Sequence, residues 1–149
     1  MHQFEKIEMV AVCAPEDSPH IHKEILAAEE KLLQMLGIPY RVILVAAGDL
    51  GGSATKKYDC EAWLPGQGQY REMTSTSNCT DFQARRLNIR LRRKDGEIVT
   101  AHTLNGTAVS SRPLIAILEN FQNADGSVDI PEVLQPFAGG MEKIEKKIA

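Results

Sequence analysis

Several common signatures are missing from this sequence, and each absence argues against a class of protein. No run of 18 or more apolar residues occurs, and no basic segment followed by an apolar one opens the chain, so neither a membrane span nor a secretory leader is indicated. The formal net charge of -3 gives no basic excess of the kind that nucleic-acid-binding domains carry. We therefore expect a cytoplasmic protein with no membrane partner. Its 149 residues, without internal repeats, predict one domain.

Motifs of the commonest nucleotide-binding and hydrolytic sites are also absent. Residues 48–53 are rich in glycine, but they match neither GxxxxGK[ST] nor GxGxxG. No GxSxG segment is present, and the histidines lack HExxH spacing. Cys13, Cys60 and Cys79 form no CxxC pair and are odd in number, which predicts reduced thiols without a disulfide framework or structural zinc.

Alternation of side-chain polarity predicts a mostly antiparallel sheet. The predicted strands cover 2–11, 41–47 (as a buried strand), 57–64, 70–77, 87–93 and 98–104. Turn signals at 65–68 and 94–97 join strands 57–64 and 70–77, and strands 87–93 and 98–104, as hairpins. Two helices complete the set, and this order is typical of an α+β domain rather than a doubly wound one.

The first predicted helix begins at Ser18, whose hydroxyl is suited to capping, and Pro19 occupies its first turn. Gly37 ends it, and the second helix spans about 111–123. The first apolar stripe comprises Ile21, Ile25, Ala28, Leu32 and Leu36, with Glu24, Glu29, Glu30 and Lys31 outside. The second comprises Leu114, Ile117, Leu118 and Phe121.

Two polar stretches lie between these elements. Residues 71–86 have almost no aliphatic bulk and combine charges, hydroxyls and an amide, so they suit a site for a polar ligand better than a core. Residues 90–94 contain four basic side chains, which form either a solvated sheet edge or a nucleic-acid patch.

A ligand site can be assembled from four of these residues. Phe4 and Glu8, on one face of an extended strand, would stand roughly 13 Å apart, which suits a flat base at one end and an ammonium group at the other. Glu72 could hold Mg²⁺, and Arg112 at a helix N-terminus could hold phosphate. The alternatives are a solvated Lys6–Glu8 pair, a solvated Glu72 and an exposed Arg112.

Six segments give a more specific indication, because in this order they resemble the catalytic domain of bacterial seryl-tRNA synthetases, a family of class II aminoacyl-tRNA synthetases. The segments are HQFEKIE at 2–8, GIPYR at 37–41, GDLG at 48–51, YDCEAWLPG at 58–66, SNCTDFQARR at 77–86 and HTLNGT at 102–107. The resemblance implies an antiparallel class II sheet flanked by helices, here a partial domain. It places the C-terminal part of the catalytic core, from the end of motif 2 to motif 3, at 1–140. Residues 141–149 are then a short charged tail, helical or frayed.

The activity that the resemblance implies is serine–tRNA ligation. L-serine and ATP give seryl-adenylate, and the seryl group passes to tRNA(Ser), in an enzyme that is a homodimer at full length. Such chemistry needs no protein nucleophile, because the serine carboxylate attacks the α-phosphate and the protein positions the reactants. The absence of a catalytic triad is then expected.

Site residues follow from the same resemblance. The ATP-binding residues are Met1 through its backbone, Phe4 against adenine, the segment Glu72, Met73, Thr74 and Ser75, and Arg112 at the γ-phosphate. Glu8 and Thr107, the latter in a loop spanning 105–112, match serine-binding positions. Glu72 and Ser75 match the Mg²⁺ position, and Glu72 and Arg112 are the catalytic candidates.

The sequence departs from the family pattern at three points. Thr74 stands where serine is usual, and the segment from Asn105 to Arg112 is one residue shorter than a common family spelling. The Phe-Arg-x-Glu half of motif 2, motif 1 and the helical arm that grips tRNA are not found. We therefore expect impaired catalysis from this chain alone. The alternatives are a non-catalytic, synthetase-like module that binds ATP or aminoacyl-adenylate, and a purely structural protein.

Overall fold

The computed structural model describes residues 3–146, and its centre is a five-stranded antiparallel sheet in the order β1-β7-β4-β3-β2. Two short two-stranded sheets, β5-β6 and β8-β9, lie beside it. The strands are β1 (Lys6–Cys13), β2 (Tyr40–Leu44), β3 (Lys56–Leu64), β4 (Gln69–Asn78), β5 (Arg90–Arg92), β6 (Ile98–Thr100), β7 (His102–Ser110), β8 (Val128–Asp129) and β9 (Lys143–Ile144). The predicted α+β class with an antiparallel sheet is confirmed.

Three α-helices connect the strands: α1 (Ser18–Met35), α2 (Phe82–Leu87) and α3 (Arg112–Asn120). Short 3-10 helices occupy Ala47–Asp49 and Glu132–Ala138. Leu33 of α1 and Ile117 of α3 belong to one core cluster with Cys60 and Ala62 of β3, so both helices pack on the same face of the sheet. The opposite face of β3 and β4 carries polar side chains, among them Asp59, Glu72 and Ser75.

The hairpin of β3 and β4 forms as predicted, whereas the bounds of the four other predicted strands differ. The strand predicted at 87–93 is shortened to Arg90–Arg92, because α2 ends only at Leu87. The first strand runs over Lys6–Cys13 rather than 2–11, so Phe4 precedes it. The segment 41–47 is not a buried strand, because β2 is the edge strand and Leu44 is largely exposed. The predicted strand 98–104 breaks at Ala101, and β7 continues to Ser110 through the segment expected to be a loop.

The beginning of α1 is not capped as predicted. Asp17 is the N-cap residue and makes no side-chain cap hydrogen bond. Ser18 Oγ instead donates to the carbonyl oxygen of Pro15 at 3.0 Å and lies 2.8 Å from His102 Nδ1. The hydroxyl therefore ties α1 to β7 rather than to its own first turn.

The buried stripes of α1 and α3 were predicted only in part, with Ile25 and Ile117 buried as expected. The α1 face against the sheet consists of Ser18, His22, Ile25, Glu29 and Leu33. Glu29, predicted to lie outside, is fully buried, and Leu32, predicted to lie inside, is partly exposed. In α3, Leu114 and Leu118 are exposed, while Pro113, Ala116 and Ile117 are buried. Helix α2 was not predicted, because its six residues are too few to show a period.

The remaining expectations concern the thiols, membranes and the tail. Cys13, Cys60 and Cys79 are buried and free. Within residues 3–146 no helix is long and apolar enough to cross a membrane. The segment expected to be a charged tail contributes β9, which pairs antiparallel with β8.

Candidate functional site

A cleft that extends from the sheet face opposite α1 toward α3 is lined by most of the residues singled out from the sequence. Its inner part, about 90 Å³, is lined by Phe4, Lys6, Glu72, Met73, Ser75, Thr107, Ser110 and Arg112. A wider part of about 380 Å³ adjoins it, shares Glu72, Met73 and Arg112, and adds Leu64, Gln67, Arg71 and Ile115. We call the two parts together the central cleft.

A β-bulge places Glu72 and Ser75 in the same cleft. Side chains three positions apart on a regular strand point to opposite faces of a sheet. Opposite β4, however, Glu61 pairs with Glu72 and Cys60 pairs with Thr74, so Met73 is an extra residue in the ladder. The extra residue resets the alternation, and both oxygen-bearing side chains line the cleft.

Glu8 and Thr107 meet across two neighbouring strands. They are directly paired in the register of β1 and β7, next to a bulge between Ile7 and Glu8. Thr107 Oγ1 donates to Glu8 Oε2 at 3.1 Å, and Lys6 Nζ lies 2.9 Å from the same oxygen. The Lys6–Glu8 pair therefore forms, but as part of the cleft wall rather than of a merely solvated strand face.

Arg112 begins α3 and faces Glu72 across the cleft. Its Nη1 donates to the backbone oxygen of Glu72 at 2.9 Å and lies 3.4 Å from Glu72 Oε2. Both side chains are about half exposed, so this pair contributes little stability and both groups are accessible to a ligand. A cation in the first turn opposes the helix dipole, and the neighbouring carboxylate offsets that cost.

The other predicted site residues are placed less uniformly. The Phe4 ring lies before β1, is 53% exposed and lines the cleft. Met73 lines both parts of the cleft although it is buried. Thr74 faces the other way, and its hydroxyl donates to Glu29 on α1 at 3.0 Å. Met1 lies outside the described residues.

Sequence reasoning missed several cleft residues and everything behind the sheet. Lys6 was interpreted only as a partner of Glu8, and Ser110 and Gln67 carry no pattern of their own. Asp59 lies opposite Ser75 in β3. Burial raises the pKa of Asp59, while Lys57 Nζ at 2.9 Å counteracts the shift.

A metal bound by protein alone is not supported in the part of the chain that the structure describes. Within residues 3–146, no group of three or more His, Cys, Asp or Glu side chains is arranged to hold a metal ion. Glu72 and Ser75 offer a carboxylate and a hydroxyl in the cleft. Hard oxygen donors of this kind, few in number, fit a Mg²⁺ ion that takes its other ligands from phosphate and water.

The sequence is similar to a known family and to curated proteins of one kind. The family model of the tRNA synthetase class II core domain (G, H, P, S and T) matches residues 1–121. The chain is 56% identical over 147 residues to the serine–tRNA ligase of Bifidobacterium animalis subsp. lactis and 57% identical over 148 residues to that of Dictyoglomus thermophilum. It spans about a third of the length of these relatives, 34% and 35%, while 99% of it is covered in each case.

Two solved structures have the same fold. One is a crystal structure of seryl-tRNA synthetase from Pyrococcus horikoshii complexed with ATP, with a TM-score of 0.95, 51% identity, and 99% of this chain and 33% of that one covered. The other is a crystal structure of cytoplasmic serine–tRNA ligase from Naegleria fowleri in complex with AMP, with a TM-score of 0.91, 45% identity, and 99% and 35% covered. The resemblance to seryl-tRNA synthetases is thereby confirmed, and the chain belongs to the class II tRNA synthetase core domain family.

Proposed function

We propose that the central cleft activates L-serine with ATP as part of a serine–tRNA ligase. The observation that carries the proposal is the meeting, in one cleft, of the Glu8–Thr107 pair with Glu72, Ser75 and Arg112. The first pair presents a carboxylate and a hydroxyl, which complement the ammonium and the hydroxyl of serine. The second group presents oxygen ligands and a guanidinium, which complement a metal–triphosphate.

The serine end of the cleft would lie at β1 and β7. Glu8 would accept hydrogen bonds from the serine ammonium, and Thr107 would bind the serine hydroxyl, exchanging its present hydrogen bond to Glu8 for one to the substrate. Both residues belong to paired strands, so the two contacts have a fixed spacing. The site would favour serine over amino acids that lack a hydroxyl. With such an amino acid bound, the buried hydroxyl of Thr107 would have no partner on the substrate, and a buried polar group without a partner is costly.

The ATP end would lie at β4 and α3. Phe4 would stack on adenine, the segment from Glu72 through Met73 and Thr74 to Ser75 would follow the phosphates, and Arg112 would bind the γ-phosphate. Because Thr74 points its hydroxyl away from the cleft, its contact would be through the backbone. Glu72 and Ser75 would hold Mg²⁺, which when bound neutralises phosphate charge. Met1 would contact ATP through its backbone, as the family resemblance implies.

In the reaction, a serine carboxylate oxygen forms a bond to the α-phosphorus of ATP. The bond from that phosphorus to the bridging oxygen breaks, and pyrophosphate leaves with the electron pair. No protein atom becomes covalently attached, so the residues contribute by orientation and by stabilising charge. Arg112, released from Glu72, would hold the departing pyrophosphate, and Glu8 would hold the serine ammonium in line.

The remaining properties of the ligase belong to the same proposal. The full-length enzyme would act in the cytoplasm as a homodimer and transfer the seryl group to tRNA(Ser). The names of the relatives support the ligase activity, and one of them is a cytoplasmic ligase. The homodimer is what the family resemblance alone implies. For these 149 residues alone, which span about a third of the relatives, we propose binding of ATP and serine with impaired turnover.

The test is serine-dependent exchange of pyrophosphate into ATP, measured in a full-length ligase that carries this sequence and in the 149-residue chain. Exchange with serine but not with alanine or threonine is expected from the full-length enzyme. Calorimetry on the short chain should show binding of ATP, while the exchange assay on the same chain should show little activity. These two results together would also establish the binding-module alternative for the chain alone. Exchange that depends on another amino acid, or no binding of ATP, would contradict the proposal.

A further inference from the structure

Helix α1 buries a carboxyl group against the back of the sheet. Glu29 is 0% exposed, whereas the side chain of Glu24 on the same helix lies in solvent. Burying a carboxyl group without full hydrogen bonding is costly, so an apolar residue would pack there at lower cost. The contacts that Glu29 makes offset part of that cost.

Those contacts reach three strands of the sheet: β3, β4 and β7. Glu29 Oε2 accepts a hydrogen bond from Thr74 Oγ1 at 3.0 Å and one from Cys60 Sγ at 3.7 Å. Oε1, equally buried, has no hydrogen-bond partner among the described residues. It points at Gly106 of β7, where an added Cβ would come within 2.8 Å of it. The carboxyl group and the Ile25 side chain together therefore occupy the space that a side chain at position 106 would fill.

Two of the contacted positions, on β4 and β7, immediately precede residues of the central cleft. Thr74 is followed by Ser75, and Gly106 is followed by Thr107. Successive residues of a strand face opposite sides of the sheet, so the contacts of Glu29 lie directly behind the cleft. Strands β4 and β7 are neighbours there, with Thr76 paired to Gly106. One side chain on α1 thus touches both the strand of the metal–ATP residues and the strand of the serine residue.

We propose that Glu29 is a positioning residue of the serine-activating site, which sets the spacing of Ser75 and Thr107 from behind the sheet. The inference rests on the proposed function, because it concerns that same site. Glu29 makes no contact with the cleft itself and acts only through Thr74 and Gly106. Its loss should therefore weaken substrate binding without removing any group that touches substrate.

The protonation of Glu29 gives this role a signature. Burial raises the pKa of the Glu29 carboxyl to about 7; the hydrogen bonds from Thr74 and Cys60 oppose the shift, and the carboxylates of Glu8 and Asp59 add to it. The titratable groups facing it are thus Glu8 from β1 and Asp59 and Cys60 from β3, while its contacts on β4 and β7 are neutral. Above pH 7 the Glu29 carboxyl group loses its proton, which puts a negative charge in a buried site beside other carboxylates. Because that charge is unfavourable, the packing behind Ser75 and Thr107 loosens.

The experiment compares Glu29→Gln, Glu29→Ala and the control Glu24→Gln in a full-length ligase that carries this sequence. Glu24 lies on the same helix with its side chain 63% exposed, 3.3 Å from His20. Serine-dependent exchange gives KM for serine, KM for ATP and kcat between pH 6 and pH 8.5. We expect Glu29→Ala to raise KM for serine roughly tenfold, since small misplacements of a site are costly. The control should match the unmodified enzyme.

The pH profile separates positioning from mere stability. In the unmodified enzyme, KM for serine should rise between pH 6 and pH 8; in Glu29→Gln, which is neutral throughout, that rise should vanish. Unchanged KM values and an unchanged profile in both variants, with only a lower Tm, would overturn the inference. If neither variant folds, a flat profile of the unmodified enzyme overturns it. An unmodified enzyme without serine-dependent exchange refutes the proposed function instead, and the inference falls with it.

Discussion

Thr107 Oγ1 donates a hydrogen bond to Glu8 Oε2 at 3.1 Å, from a position directly across the β1–β7 ladder. The pair joins residues that are 99 positions apart in the sequence. Pairing across two neighbouring strands fixes the positions of the hydroxyl and the carboxylate relative to each other, and Thr107 lines the central cleft. Several consequences of this arrangement can be measured.

Replacing Thr107 by Val removes the hydroxyl and keeps the shape of the side chain. We expect KM for serine to rise roughly twofold to tenfold, because a hydrogen bond between two neutral hydroxyls is worth about 0.5–1.5 kcal/mol. KM for ATP should stay within about twofold, and Thr107→Ser should restore most of the loss. The matched control is Thr103→Val on the same strand, whose hydroxyl donates to Gln83 at 2.7 Å. Equal effects of both substitutions would argue against a serine contact at Thr107.

Glu72→Gln should impair the use of Mg²⁺ more than the binding of serine. The amide keeps the volume but removes the charge that a hard cation prefers. Exchange should fall roughly a hundredfold, and the Mg²⁺ concentration for half-maximal exchange should rise. Glu61→Gln is the control, since Glu61 pairs with Glu72 in the ladder but binds Arg41 instead. A Mg²⁺ titration curve that does not move would exclude Glu72 as a metal ligand.

Arg112→Ala should separate ligand binding from stability. Its pair with Glu72 is half exposed, so the free energy of unfolding should change by less than about 0.5–1 kcal/mol. KM for ATP should nevertheless rise about tenfold or more, with Arg112→Lys intermediate, because lysine cannot provide the bidentate fork. Denaturant titration and exchange kinetics on the same samples test both statements. A large loss of stability with an unchanged KM for ATP would contradict them.

How far the sequence predicted this molecule depended on the range of each interaction. The β3–β4 hairpin was predicted correctly because alternation and a Pro-Gly turn are local signals. Placing Glu72 and Ser75 together required the bulge at Met73, which arises from pairing with another strand and leaves no local pattern. The roles proposed for Glu8 and Thr107 came from the family motifs, since no short-range pattern links residues on separate strands.

The main errors arose where a rule that uses only neighbouring residues was overridden by a contact with a residue distant in the sequence. Helical periodicity assigned Glu29 to solvent because it is charged, but Thr74 and Cys60, on other elements, hold it inside. Residues 105–112 were expected to be a loop because the family motif places Thr107 in one. Gly106 instead lies within β7, where it pairs with Met9 and Thr76, and Ile25 and Glu29 of α1 leave no room for a side chain at this position.

Gly106→Ala tests that close approach. An added Cβ would overlap Ile25 Cγ2 and press on the Glu29 carboxyl, so we expect a loss of about 1–3 kcal/mol in the free energy of unfolding. Combining it with Ile25→Ala should recover part of the loss beyond additivity, because the two sites are in contact. Gly48→Ala is the control, since nothing lies within 4 Å of a Cβ there. Denaturant unfolding of the four variants gives the comparison, and a neutral Gly106→Ala would show that α1 packs less closely.

Glu29 should also make the stability of this chain depend on pH. Its pKa is raised from 4.5 to about 7 in the folded state, so the folded chain binds the proton more tightly than the unfolded chain does. The stabilising contribution of the proton is complete below pH 4.5 and is lost as pH rises to about 7, which corresponds to about 3 kcal/mol.

Burial lowers the pKa of His22, which acts in the opposite direction over part of this range, so the informative quantity is the difference between variants. Relative to the unmodified chain, Glu29→Gln should gain stability steadily between pH 5 and pH 7.5, measured by urea unfolding at fixed ionic strength, while Glu24→Gln should show no such trend. A constant difference between Glu29→Gln and the unmodified chain across that interval would mean that Glu29 is ionised in the folded protein.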